Sequence, residues 1–202
     1  MLFYRTVRLA FRGLAVPLFR FEVEGAHHVP GRGPAVLVAP HRSWLDPACV
    51  GAACPRPVHF LIMERVWRLS WANWFFRMMR GVPVASEGTP ALPAVRAALR
   101  LLRAGELVGV FPEGRVQPEG PVAAARAGAA LLAVRGPAPV VPLVVRGSAR
   151  AWPRGRRWPR PAPVTVRFGP PLAPEGGARE IGELTRRIER ALNELGGPAR
   201  ER

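Results

Sequence analysis

The chain has 202 residues, enough for one or two domains, with one compact domain the simplest prior, and enough to bury a core without metal or disulfide staples. Apolar residues make up 49% and charged residues 22%, which excludes a disordered chain, and two cysteines, Cys49 and Cys54, exclude a disulfide framework or a four-thiolate zinc site and fit a reducing compartment. All 30 basic residues are Arg against 14 acids, of which Asp46 alone is Asp; the net +16 leaves nucleic acid, an anionic membrane or a phosphorylated small molecule as partner classes, though drift in genomic composition produces such a bias too.

Met1 to about Leu18 reads as an amphipathic helix, with Arg5, Arg8 and Arg12 on one face and Phe3, Val7, Ala10, Phe11 and Leu14 roughly opposite. It is broken by Arg too often for a signal peptide, and no apolar run approaches the roughly 20 residues a membrane span needs. Two readings stay open for it: an interfacial anchor, or a helix packed on the core with its Arg in water. Phe21 to Glu24 is a short strand, His27-His28 a loop, and Ala35 to Ala39 a buried strand ending at Pro40-His41. Pro57 to Met63 is a further strand, and Val66 to Met79 a helix carrying Trp67, Trp71, Trp74 and Met78, a stripe suited to core, acyl channel or lipid contact.

Thr89-Pro90 starts a helix that runs to about Arg103 and stops at Gly105. Glu106 to Phe111 is a strand, Ala123 to Val134 a small-residue helix, and Val140 to Val145 and Val164 to Phe168 are strands. Arg146 to Arg160 interleaves Arg with Trp152 and Trp158, a pattern of either a lipid-facing or a solvated basic loop. Ile181 to Leu195 closes the chain as an amphipathic helix, and both cysteines read as buried apolar residues. Strands alternate with helices, so the fold class is α/β, with helices on a mixed, mainly parallel sheet.

Two polar clusters follow strands, where open α/β sheets place ligands. The first is Pro40-His41-Arg42-Ser43-Trp44-Leu45-Asp46-Pro47. If the chain turns, Asp46 holds one imidazole nitrogen of His41 and leaves the other as a base. Ser43 lacks the Gly-x-Ser-x-Gly setting of a nucleophile elbow, so the pair suits direct attack by a substrate hydroxyl. A structural His beside a helix-capping Asp fits the same spacing. The second cluster is Phe111-Pro112-Glu113-Gly114-Arg115, either a surface turn with a rim ion pair or a grip on a phosphate or carboxylate by Arg115.

Taken together, these clusters resemble the motifs of the lysophosphatidic acid acyltransferase (PlsC-like) family of phospholipid synthesis. His41-Arg42-Ser43-Trp44-Leu45-Asp46 is similar to its His-x4-Asp motif, and Phe111-Pro112-Glu113-Gly114-Arg115-Val116 to its Phe-Pro-Glu-Gly motif, at the family's usual gap of roughly 70 residues. Pro139 to Leu143 resembles a fourth motif, and Val164 to Pro171 the closing strand and turn; the likeness runs from about Phe21 to Leu195. The resemblance implies a glycerol-3-phosphate acyltransferase-like fold divided into a membrane-associating helix, residues 1–20, and an acyltransferase domain, residues 21–202. It implies acyl transfer from acyl-CoA or acyl carrier protein to the hydroxyl of a lysophospholipid, most simply 1-acyl-glycerol-3-phosphate, with no covalent acyl-enzyme. His41 and Asp46 would be catalytic, and Arg42, Ser43, Glu113, Gly114 and Arg115 would bind the acceptor. Backbone N–H groups near the first motif, or a nearby donor, would stabilise the oxyanion.

The same resemblance implies no cofactor, no metal and no nucleic acid, and a peripheral or monotopic place on the cytoplasmic face of an anionic cell membrane. Two departures bear on the acceptor. Ser86 stands where the family's second motif has Arg, after Gly81-Val82-Pro83-Val84-Ala85, and Met63 where many members have Lys. Both absent groups are basic, which opens the acceptor to another lysophospholipid or to an amino- or glyco-lipid, with Arg80 or Arg42 as substitutes for the lost charge. A hydrolase using Ser43, and a basic membrane- or nucleic-acid-binding protein without catalysis, are the rival readings.

Overall fold

The computed structural model describes residues 6, 13, 15–63, 67, 81–84, 92–113, 116–117, 120, 127–153, 155–175 and 180–197. The expected helix over Val66 to Met79, the second-motif Ser86, the start of the Ala123 helix and most of the N-terminal helix lie outside these residues. Thr6, Gly13 and residues 15–19 are helical.

The chain order is β1 (Glu22–Glu24), a 3-10 turn at Ala26–His28, β2 (Ala35–Val38), α1 (Asp46–Ala53), β3 (Val58–Met63), β4 (Val82–Val84), α2 (Leu92–Arg103), β5 (Leu107–Val110), α3 (Gly128–Arg135), β6 (Val140–Arg146), α4 (Ser148–Ala151), β7 (Thr165–Phe168) and α5 (Glu180–Gly196). The strands make a sheet of order β1-β7-β6-β2-β5-β3-β4. Neighbours are parallel throughout except for β6 and β7, which are antiparallel. The expected mixed, mainly parallel sheet is therefore present.

Both faces of the sheet are covered, which explains why the central strands read as continuous apolar runs. Alternation along β2 sends Ala35 and Leu37 to one face, where they meet α1, α4 and residues 15–19. Val36 and Val38 go to the other face, against Ala98 and Leu102 of α2, α3, and Leu184, Ile188 and Leu192 of α5. The expected α5 stripe is the one that packs. Cys49 and Cys54 are buried and in no disulfide, as read from the sequence.

Three elements go beyond the sequence reading. β4 is a three-residue edge strand with Pro83 in it, tolerable because an edge strand has an unused bonding side. α1 is buried on most of its surface and so shows no apolar stripe. α4 is a single turn after Gly147, whose φ of 80° and whose closeness to the Pro163 carbonyl leave no room for a Cβ. His27-His28 falls in the 3-10 turn, with His28 Nδ1 3.0 Å from the Phe168 carbonyl oxygen.

The two edges of the sheet differ in kind. At the edge where β2 and β5 begin, Arg56 donates from Nη1 to the carbonyls of Pro30 (2.9 Å) and Gly33 (2.7 Å) and from Nη2 to that of Gly105 (2.6 Å). One guanidinium thus closes three loops. At the opposite edge, where these strands end, both motif clusters emerge. Arg56→Ala should lower stability by about 2 kcal/mol, the scale of losing charge-assisted bonds to half-buried carbonyls. Chemical denaturation would read this, with Arg56→Lys recovering only part because the single nitrogen of an ammonium cannot take the places of both Nη1 and Nη2.

Candidate active site

β2 ends at Val38 and the chain turns through Ala39 and Pro40 to His41. Three donors then converge on one buried carboxylate oxygen. Asp46 Oδ2 lies 3.1 Å from His41 Nδ1 and accepts the backbone N–H groups of Arg42 (2.7 Å) and Ser43 (2.8 Å). The Asp46 side chain is 0% exposed, and while Oδ2 gathers these partners, Oδ1 has none among the described residues. Asp46 opens α1, yet its carboxylate caps none of the helix's own amides; it folds back on the turn that precedes the helix. The reading of Asp46 as a plain helix cap is thereby corrected.

With Nδ1–H donating to Asp46, Nε2 carries the lone pair, and it has no hydrogen-bond partner among the described residues. The His41 side chain is 13% exposed, which leaves Nε2 reachable. Its ring stacks on Phe111 with centroids 4.3 Å apart and meets Trp44 edge-on at 6.3 Å. Phe111 stacks in turn on Phe60 at 5.9 Å. Room for Phe60 comes from Gly109 on β5, where a Cβ would sit 2.6 Å from the Phe60 ring. An aromatic column therefore rises from the sheet and sets the plane of the imidazole. A glycine inside a strand was the available sequence signal for such a close approach.

Glu113 joins the second cluster to the first. Its Oε2 accepts the His41 backbone N–H at 2.9 Å, and its Oε1 lies 3.2 Å from Arg42 Nη1. Arg42 also donates from Nη2 to the Gly120 carbonyl at 2.8 Å, and the Gln117 N–H donates to the His41 carbonyl at 2.7 Å. Both Glu113 oxygens are thus spent on the His41-Arg42 turn. Arg42 and Glu113, the residues expected against the acceptor, tie the two motifs together. Gly114 and Arg115 lie outside the described residues.

Ser43 is 1% exposed. Its Oγ donates to the Trp152 carbonyl at 2.9 Å and accepts the Leu45 N–H at 3.2 Å. The hydroxyl pins the turn to the segment after α4. Beneath the turn, burial pushes the Cys49 thiol up, and the nearby Asp46 charge adds to this. Among the described residues no group of His, Cys, Asp and Glu has the arrangement of a metal site. Chemically, the arrangement is a reachable imidazole base backed by a fixed carboxylate, with the neighbouring serine disengaged.

A model of the acyltransferase family matches residues 20–146. A 1-acyl-sn-glycerol-3-phosphate acyltransferase of Bacillus subtilis is 27% identical over 128 residues, 62% of this chain and 62% of that protein. A protein of the same name from Pseudomonas aeruginosa is 26% identical over 179 residues, 87% of this chain and 68% of that one. The alpha form from Mus musculus is 32% identical over 161 residues, 78% of this chain and 56% of that one. The chain thus spans about three fifths of the length of the Bacillus relative. In fold it is similar to the crystal structure of the 1-acyl-sn-glycerophosphate (LPA) acyltransferase, PlsC, from Thermotoga maritima. That match has a TM-score of 0.79 at 24% identity and covers 98% of this chain and 81% of that one.

Gly109→Ala should drive Phe60 into Phe111 and tilt His41, costing about 1–3 kcal/mol of stability. It should lower kcat more than it raises KM, a split that steady-state kinetics would read. Cys49 should resist iodoacetamide at pH 8 in the folded protein and react only on unfolding, followed by mass spectrometry.

Proposed function

Since the chain belongs to the acyltransferase family, we propose that it transfers a fatty acyl group to the free hydroxyl of 1-acyl-glycerol-3-phosphate in phospholipid synthesis. The observation that carries this reading is the His41–Asp46 contact of 3.1 Å with Nε2 unpartnered among the described residues and the Ser43 hydroxyl bound elsewhere. A base without a protein nucleophile calls for a nucleophile brought by the substrate. The names of the relatives supply its class, a lysophospholipid.

The donor is an acyl thioester, carried by coenzyme A or by acyl carrier protein. His41 Nε2 removes the acceptor hydroxyl proton as that oxygen attacks the thioester carbonyl. The tetrahedral intermediate collapses, the C–S bond breaks, and the proton held on Nε2 passes to the departing thiolate. Atoms balance without an acyl-enzyme. Asp46 keeps Nδ1 protonated and offers a negative neighbour to the imidazolium while it exists. Phe111 holds the ring plane, and Glu113 with Arg42 holds the turn. Arg115, one residue past the Glu113-Gly114 pair of the motif, takes the acceptor phosphate.

We place the enzyme at a membrane surface, where its acceptor resides. We take the association to be peripheral or monotopic; no helix among the described residues is long and apolar enough to cross a membrane. Residues 1–20 serve as a membrane-associating helix and residues 21–202 as the acyltransferase domain. The absence of Arg at Ser86 favours a second acceptor reading, a lysolipid with a different headgroup.

An acceptor panel offered with acyl-CoA and with acyl carrier protein donors tests the assignment. Lysophosphatidic acid should be preferred over neutral-headgroup lysolipids. A reversed preference moves the enzyme to the second reading, and thioester hydrolysis without lipid product removes the transfer reaction. His41→Ala should abolish turnover, Asp46→Asn should lower kcat by about a thousandfold or more, and Ser43→Ala should retain substantial kcat while losing stability. A dead Ser43→Ala that still folds would restore a serine nucleophile.

A further inference from the structure

Among the described residues, five large apolar side chains are exposed: Val16 (50%), Leu18 (38%), Trp44 (52%), Leu92 (54%) and Trp158 (70%). All but Leu92 belong to three segments bound to one another at the sheet edge that carries His41. The Ser43 hydroxyl holds the Trp152 carbonyl, which fixes the Trp44 turn to the loop after α4. The Val164 N–H donates to the Phe19 carbonyl at 2.8 Å, which fixes that loop's far end to residues 15–19. Ala15, Phe19, Leu45 and Ala151 share one core with Trp152 and Ala162 packed on it.

The loop itself is shaped by internal bonds. The Arg160 N–H donates to the Ala151 carbonyl at 2.8 Å, Arg160 Nε donates to the Arg150 carbonyl at 2.8 Å, and Trp152 Nε1 donates to the Arg156 carbonyl at 2.9 Å. Arg157 lies over the Trp158 ring, 5.7 Å from its centroid. Arg20, Arg150, Arg156, Arg157 and Arg160 are all exposed. Residues 1–21, 25–45 and 120–174 contain neither Asp nor Glu and Asp46 is buried, so the loop itself carries no acid; the exposed Glu22 lies beside Arg20 at the start of β1.

We propose that this edge, with Trp158 and the Arg156-Arg157 pair as its principal contacts and Trp44, Val16 and Leu18 beside them, docks on an anionic lipid bilayer and sets the His41 site against the membrane interface. The inference rests on the reading of the chain as an enzyme with a lipid acceptor, and adds the surface by which it meets that lipid. Exposed indole beside guanidinium is the chemistry of the headgroup layer, where the ring reaches the acyl boundary and the cation meets phosphate. Coenzyme A or an acidic carrier protein would use the Arg; neither accounts for apolar side chains exposed on all three segments.

Sedimentation with vesicles tests the surface. Vesicles of phosphatidylcholine with phosphatidylglycerol should bind the protein more tightly than phosphatidylcholine alone, and 0.5 M salt should weaken binding. The variant Trp158→Ala/Arg156→Gln/Arg157→Gln should lose about tenfold or more of its vesicle affinity. Its turnover of a short-chain, monomeric lysophosphatidic acid should stay at the wild-type level. Arg156→Glu alone should reproduce the affinity loss on anionic vesicles.

Unchanged vesicle binding in both variants would overturn the proposal. So would a rise in KM for acyl carrier protein, with acyl-CoA and vesicle binding unaffected, which would make the edge a carrier dock. Equal loss of turnover on the monomeric acceptor would place the loop in the substrate site instead. If the wild-type protein transfers no acyl group but binds anionic vesicles through this edge, the enzymatic reading fails and the surface stands.

Discussion

One carboxylate oxygen organises the sheet edge that carries His41. Asp46 Oδ2 takes up two backbone N–H groups and an imidazole nitrogen from consecutive residues, and it does so with the Asp46 side chain wholly buried. Withdrawing a charge from water is costly unless several donors replace the lost hydration. The chain meets that demand at Oδ2 by wrapping residues 41–43 around it, while Oδ1 is buried with no hydrogen-bond partner among the described residues. The shape of the turn and the direction of the imidazole are therefore consequences of one electrostatic requirement. A longer or shorter turn would leave the charge under-solvated.

A second layer of constraints makes the turn part of the sheet. Glu113, which follows β5, grips both the backbone of His41 and the guanidinium of Arg42. Because β2 and β5 are parallel neighbours in register, their ends emerge side by side, and residues 72 positions apart come within bonding distance. Phe111 and Phe60 support the ring from below, with Gly109 giving up its side chain for them. Such a base is held by packing and bonds on several sides, which is what positional precision demands.

Much of this was legible in the sequence, for identifiable reasons. The strands at Ala35, Val58, Leu107, Val140 and Thr165 announced themselves as short β-branched runs bounded by Pro or Gly, and α5 by its periodic apolar positions. The His41–Asp46 pair was legible from its spacing after a strand. What escaped was set by tertiary context. α1 has no polar face to give it a period, and β4 is three residues with a proline. The roles of Ser43 and Glu113 escaped too. Their residue types suit ligand binding, and nothing local says that Trp152, at |i−j| of 109 from Ser43, or the His41 backbone would claim their polar atoms first.

The reversal between β6 and β7 carries a consequence for the order in which the protein is made. Because β7 runs against β6, β1 joins the sheet through β7, pairing Glu22 with Thr165 and Glu24 with Arg167. β1 thus waits for about 140 further residues before its partner exists. The inner strands β2, β3 and β5 close over far shorter loops and can associate earlier. On that schedule the nascent chain holds a partial sheet while the segment leading into β1 is still undocked and the Trp152 carbonyl has yet to reach Ser43. Completion of the His41 edge then waits on β7, and the hydroxyl of Ser43 marks it.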